Sequence, residues 1–159
     1  MSWLRRCTTA TDTQAAGVAF AALLRAGDVV LLEGQLGAGK TTFTQGVAKG
    51  LGVVERVTSP TFTVVRQHDC HVDSGIKTLH HADVYRVEHL GEVLDLALGE
   101  LVEESAVALV EWGELAASVF GPDVLTVAFG VNSDESRTLA VAGALSDTRA
   151  AALAEWSAP

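Results

Sequence analysis

Apolar positions fall into two alternating rhythms along the chain. Ala15, Val18, Ala19, Ala22 and Leu23 recur at helical spacing behind Thr11 and Gln14, which stand a capping box apart. This predicts a helix from about Asp12 to Arg25 that stops near Gly27. The following "DVVLLE" is a short unbroken apolar run, as expected of a central strand buried on both faces. Phe43, Val47 and Leu51 then repeat at fourfold spacing, predicting a second helix that ends around Gly50 and Gly52.

Further on, "PTFTVVRQH" and "KTLHHADVYR" are β-rich segments that flank "DCHVDSG", whose Asp, Ser and Gly suit the loop of a hairpin. The acidic, Leu-rich stretch from Glu88 to Glu104 suggests a helix broken at Gly91 and Gly99. "AVALVE" has the form of another buried strand. "DVLTVAFGV" and "SRTLAVAG" read as a second hairpin around Asn132, and "SDTRAAALAEW" as a C-terminal helix. No internal repeat, proline-rich linker or low-complexity tract interrupts the pattern, and 159 residues suit a single domain spanning 1–159.

Composition narrows the setting. Hydrophobic residues make up 48% and charged residues 19%, the balance of a folded globule, yet no apolar run is long enough to span a bilayer. The first residues carry two arginines without an apolar stretch and a small-residue cleavage site, so no secretory signal is read there. With only Cys7 and Cys70 there is no disulfide framework, and a cytoplasmic location is expected. A net charge of −9, with Lys40, Lys49 and Lys77 as the only lysines, disfavours direct binding to nucleic-acid phosphates.

The chemistry concentrates in "GQLGAGKTT". Gly34, Gly39, Lys40 and Thr41 fit the pattern GxxxxGK[ST] between a predicted strand and a predicted helix, the context a phosphate loop requires. Backbone N–H groups from Gly34 through Leu36, Gly37, Ala38 and Gly39 can close around phosphates, and the new helix directs its positive end at the same anion. Lys40 is placed to reach the β- and γ-phosphates of a nucleotide, Thr41 to offer its hydroxyl to Mg²⁺, and Thr42 to add a phosphate contact.

Metal and attacking water need carboxylates at neighbouring strand ends; Glu111, closing "AVALVE", and Asp83, in "LHHADVYR", have that form. "TSPTF", residues 58–62, places hydroxyls beside a proline where P-loop switch proteins sense the γ-phosphate. His68, Cys70 and His71 with His80 and His81 invite a zinc reading, but their spacing matches no familiar ligand set. Trp112 is taken as core by default.

Taken in order, "GQLGAGKTT", "SPTF", "HADVYR" and "VEWGE" resemble the TsaE (YjeE) family, over roughly Thr11 to Arg137. The family is the bacterial P-loop ATPase component of the machinery that makes threonylcarbamoyladenosine in tRNA. The resemblance implies a P-loop NTPase-like three-layer α/β fold, a mixed sheet with central parallel strands and antiparallel additions.

It also implies a Mg²⁺-dependent ATPase, weak alone, using ATP and ADP and acting on the threonylcarbamoyl-transferase subunit TsaD and its paralogue TsaB rather than on tRNA. By the resemblance, Lys40, Thr41 and Thr42 serve ATP, Thr41 and Glu111 match the Mg²⁺ positions, and Asp83 matches an acid needed for activity. Ser59 and Thr61 match the switch-like segment, and Arg137 an arginine near the nucleotide. Gln35 stands where the family often has Asp, and Gly113 where Pro is common.

A GTPase is disfavoured, since the sole asparagine, Asn132, precedes Ser133 and no NKxD or DxxG occurs. A small-molecule P-loop kinase commonly has an arginine-bearing lid, and the arginines here do not cluster. A nucleotide-sensing adaptor with negligible turnover shares every motif and stays open.

Overall fold

The computed structural model describes residues 2–58, 65–83, 105–111, 124–143 and 145–158. Their strands are β1 (Ser2–Cys7), β2 (Val29–Glu33), β3 (Val65–Asp69), β4 (Thr78–Asp83), β5 (Ala106–Glu111), β6 (Leu125–Val131) and β7 (Arg137–Ala142). The helices are α1 (Ala10–Ala21), α2 (Lys40–Gly50) and α3 (Asp147–Ser157). All seven strands join one sheet in the order β1-β7-β6-β2-β5-β4-β3. Strands β6, β2, β5 and β4 run parallel, while β7, β1 and β3 add antiparallel pairings. This is the mixed sheet with a parallel centre and antiparallel additions that the family resemblance implies.

The apolar run of β2 occupies the middle because both its neighbours are parallel strands. Val30 and Leu32 join Val107, Leu109 and Val127 in the main core, and the alternating Leu31, Ala108 and Val110 are equally buried. Against the core side lie the helices, tied by an aromatic series from Trp156 to Phe20, Phe43 and Phe129, with adjacent centroids 5.4–5.9 Å apart. Trp156 Nε1 also donates to the Ala16 carbonyl at 3.0 Å, which fastens α3 to α1.

Helices α1 and α2 meet at Gly17 and Gly46. A Cβ on Gly17 would stand 2.3 Å from the Phe43 carbonyl oxygen, and one on Gly46 2.1 Å from that of Gln14. Only glycine allows so close an approach, and it brings the N-terminal turn of α2 against α1.

Several boundaries differ from those read in the sequence. The capping box of α1 uses Thr9 and Asp12 rather than Thr11 and Gln14. Thr8 reinforces it, giving both its N–H and its hydroxyl to the Asp12 carboxylate. The helix ends at Ala21, where i→i−3 bonds from Leu23 and Leu24 tighten the chain and Asp28 takes the N–H of Arg25.

The buried stripe of α1 is Thr13, Ala16, Gly17, Phe20 and Ala21, so Ala15, Val18 and Ala19, expected inside, face solvent. An alanine-rich helix carries little contrast between faces, and here Phe20 and Gly17 decide the orientation. β1 has no counterpart in the sequence reading. The suggested helix at 88–104, Ser59, Thr61, Trp112 and Gly113 lie outside the described residues.

Candidate functional site

Strand β2 delivers the chain to the turn at Gly34, and α2 begins at Lys40. Between them, Gly39 has φ 106°, in the left-handed region that a side chain resists, and serves as the N-cap of α2 with no side-chain cap. The first-turn N–H groups of α2 therefore have no capping side chain and present positive charge at the turn. Ala38 is fully buried and fixes the base of the loop, whereas Leu36 projects with 88% of its surface exposed.

Lys40 is buried and its ammonium donates to the Gly34 carbonyl at 2.6 Å, so the lysine folds back across the loop it follows. Thr41, one residue on, donates its hydroxyl to Glu111 Oε1 at 3.3 Å. The contact exists because β5 lies beside β2, with Leu32 and Glu111 in register. Asp83 is the register partner of Glu111 on the other side, at the end of β4.

Leu36, Gly37, Gly39, Lys40, Thr41, Thr42, Asp83 and Glu111 line one cleft of about 210 Å³. Six of the expected phosphate-loop residues and both expected carboxylates thus converge, although Asp83 and Glu111 are far from the loop in sequence; Gly34 and Ala38 do not line this cleft. The oxygen-only pair Thr41 and Glu111, with Asp83 nearby, suits a hard divalent cation such as Mg²⁺ better than a soft one.

A second hollow of about 170 Å³ adjoins the loop and shares Gly37, Gly39 and Thr42 with the cleft. It is lined also by Thr8, Thr9, Thr13 and Arg137. Arg137 opens β7, pairs across the sheet with Val131 and Cys7, and donates from Nη2 to the Gly37 carbonyl at 3.3 Å. A second nitrogen, Nη1, donates to the carbonyl of Glu135, a residue held at φ 66° in the β6–β7 turn. The hairpin expected around Asn132 is what carries this arginine to the loop.

Two parts of the site were not legible in advance. The threonines at the entry to α1 line the second hollow, and no spacing links them to the phosphate loop. His81, completely buried, lies 3.0 Å from Glu111 Oε2 through Nε2. Its signal was present: His81 and Asp83 are two apart on one strand, so they share a face.

Among the described residues the remaining histidines do not gather. His68 pairs with Glu55 at 2.6 Å, and among the described residues no three His, Cys, Asp or Glu side chains are grouped to hold a metal. Cys7 and Cys70 are free thiols; burial, then Asp69, pushes Cys70 up to about 11. Thr61 lies outside the described residues, while Thr58 is half-buried just ahead of it. No helix among the described residues is long and apolar enough to cross a membrane.

A family model for the threonylcarbamoyl adenosine biosynthesis protein TsaE matches residues 7–139. The tRNA threonylcarbamoyladenosine biosynthesis protein TsaE of Treponema pallidum is 41% identical over 139 residues, which span 86% of this chain and 99% of that protein. Its namesake in Streptomyces coelicolor is 44% identical over 132 residues, 80% of this chain and 87% of that one. Among solved structures, Bacillus subtilis YdiB superposes with a TM-score of 0.75 at 32% identity, covering 99% of this chain and 95% of the other.

Proposed function

The chain belongs to the TsaE family, and on that premise we propose that it binds ATP and ADP with Mg²⁺ at the phosphate loop and hydrolyses ATP in support of threonylcarbamoyladenosine modification of tRNA. The observation that carries this reading is the contact from Thr41 to Glu111, 70 residues apart, at the mouth of a glycine-rich turn. A bare strand–turn–helix has no need of a buried carboxylate at that point. The names of the relatives supply the pathway.

Each residue has a chemical task that follows from its place. Lys40, which donates to the Gly34 carbonyl, would turn to the more negative phosphate oxygens of a bound nucleotide. Thr41 donates a hydrogen bond to Glu111, which leaves its oxygen lone pairs free to meet a cation. The bound Mg²⁺ supplies charge neutralisation and Lewis-acid polarisation of the phosphoryl group. Asp83 lines the same cleft and is placed to orient a water and receive its proton. Arg137 and the threonines of the adjoining hollow hold the nucleoside end.

The partners we propose are proteins. A chain of net charge −9 repels phosphate over most of its surface, so tRNA is held by others, which in this family's terms are TsaD and TsaB. ATP turnover by the purified chain, alone and with TsaD and TsaB, with and without tRNA, tests this. Slow turnover alone that rises in the mixture is the expected result. No hydrolysis in any mixture would leave a nucleotide-sensing adaptor, and tight tRNA binding by the isolated chain at physiological salt would contradict the division of labour.

A further inference from the structure

We infer that His81 is a positioning residue that fixes the Glu111 carboxylate for metal capture beside the phosphate loop. The inference rests on the reading of Thr41 and Glu111 as a Mg²⁺ site and adds to it a residue which that reading does not use.

Glu111 is a carboxylate in a nearly closed place, with 4% of its side chain exposed. An ionised carboxylate there needs donors, and among the described residues two reach it from different elements. Thr41, on α2, takes Oε1 at 3.3 Å; His81, on β4, takes Oε2 at 3.0 Å. The oxygens are thereby distinguished. Oε1 faces the loop hydroxyl, and Oε2 is turned into the sheet and held there.

The direction of the second bond follows from the donor inventory. A carboxylate has no proton to give, so Nε2 carries it. Nδ1 of His81 is buried and makes no hydrogen bond among the described residues, so among them the ring's polar engagement is with Glu111. The strand sets the ring's position: His81 is in register with Leu109, and Asp83 with Glu111, so the imidazole reaches diagonally along the sheet face. Fully buried and bonded to the proposed metal carboxylate, the ring is held by its packing, and it holds the oxygen in turn.

Such outer hydrogen bonds orient ligands and raise metal affinity, and losing one costs about 10- to 100-fold. The test uses Mn²⁺ as the paramagnetic stand-in for Mg²⁺, titrated into the full chain with ADP and followed by the loss of the free-ion resonance. ADP affinity is measured separately in chelator. His81→Phe keeps a planar apolar ring and removes the donor. It is expected to weaken Mn²⁺ binding about 10- to 100-fold while metal-free ADP affinity stays within about twofold.

His81→Gln puts an amide N–H near the position of Nε2 and is expected to recover most of the loss. His81→Asn, too short to reach, is expected to match Phe and replaces it if the Phe variant does not fold. In a Glu111→Gln background His81→Phe should add nothing further, because the carboxylate it served is gone. A folded Phe or Asn variant with parental Mn²⁺ affinity, or Gln no better than Phe, overturns the inference. A parent chain that takes up no Mn²⁺ with ADP overturns the metal site itself, which is a separate result.

Discussion

Asp83 and Glu111 are register partners on adjacent parallel strands, and both line the cleft beside the phosphate loop. Glu111 is tied to the loop by accepting from the Thr41 hydroxyl. In the function proposed above, Glu111 serves the cation and Asp83 the attacking water.

That division predicts different kinetics for the two. Asp83→Asn should lower ATP turnover by about 100-fold or more, as loss of a proton-accepting group does, with Mg·ADP affinity changed by less than about threefold. Glu111→Gln should weaken Mg·ADP binding and turnover together. Steady-state kinetics with calorimetric ADP titration separates the patterns, and parental turnover in both variants would make these acids structural.

The close approach of α1 and α2 has a stability consequence. Gly46→Ala would set a methyl 2.1 Å from the Gln14 carbonyl oxygen, and the helices must separate to admit it. Overpacking of this kind costs about 1–3 kcal/mol or more. Gly130→Ala, where the nearest atom is 3.8 Å away, is the tolerated control. Urea unfolding of both variants measures the difference, and equal midpoints would contradict the packing.

Two surface carboxylates predict acid sensitivity. Asp12 is held below its ordinary pKa of 3.8 first by the Thr8 hydroxyl and then by the Thr8 N–H. Asp134 is held below 3.8 first by the Ser136 hydroxyl and then by the Ser136 N–H. Because the folded values are the lower ones, their stabilisation is complete above the unfolded pKa and is lost as pH falls through the folded values. Thermal unfolding followed from about pH 6 to about pH 3 should show a shallower acid decline in Asp12→Asn/Asp134→Asn than in the parent. Superimposable profiles would show that these carboxylates contribute nothing.

Much of the site was legible because its parts obey local rules. The phosphate loop is a contiguous pattern. Glu111 and Asp83 each end an apolar or β-rich run, the form of an acid at a strand end. The sheet centre followed from unbroken apolar runs in β2 and β5. What escaped depends on distant partners.

β1 is an edge strand whose burial alternates down to Cys7, but Arg5 and Arg6 blur its pattern, and its partner β7 comes from the other end of the chain. Arg5 is accommodated by the indole of Trp156, 5.4 Å away, a contact that no local spacing reveals. The face of α1 was misread by one position because alanine gives no contrast, and the close approach to α2 that Gly17 allows depends on Gly46 of another helix. His81 was visible as a residue but not as the partner of Glu111, since their pairing requires knowing that β4 lies beside β5.

Nucleotide binding through Lys40 is tested most directly by calorimetric titration of Mg·ADP into the parent chain and into Lys40→Ala. The parent should bind, and the variant, shown folded by its thermal transition, should bind about 10- to 150-fold more weakly, corresponding to a charge-assisted contact of about 1.5–3 kcal/mol. Equal affinity in the two proteins would contradict the assignment of the glycine-rich turn as a nucleotide site.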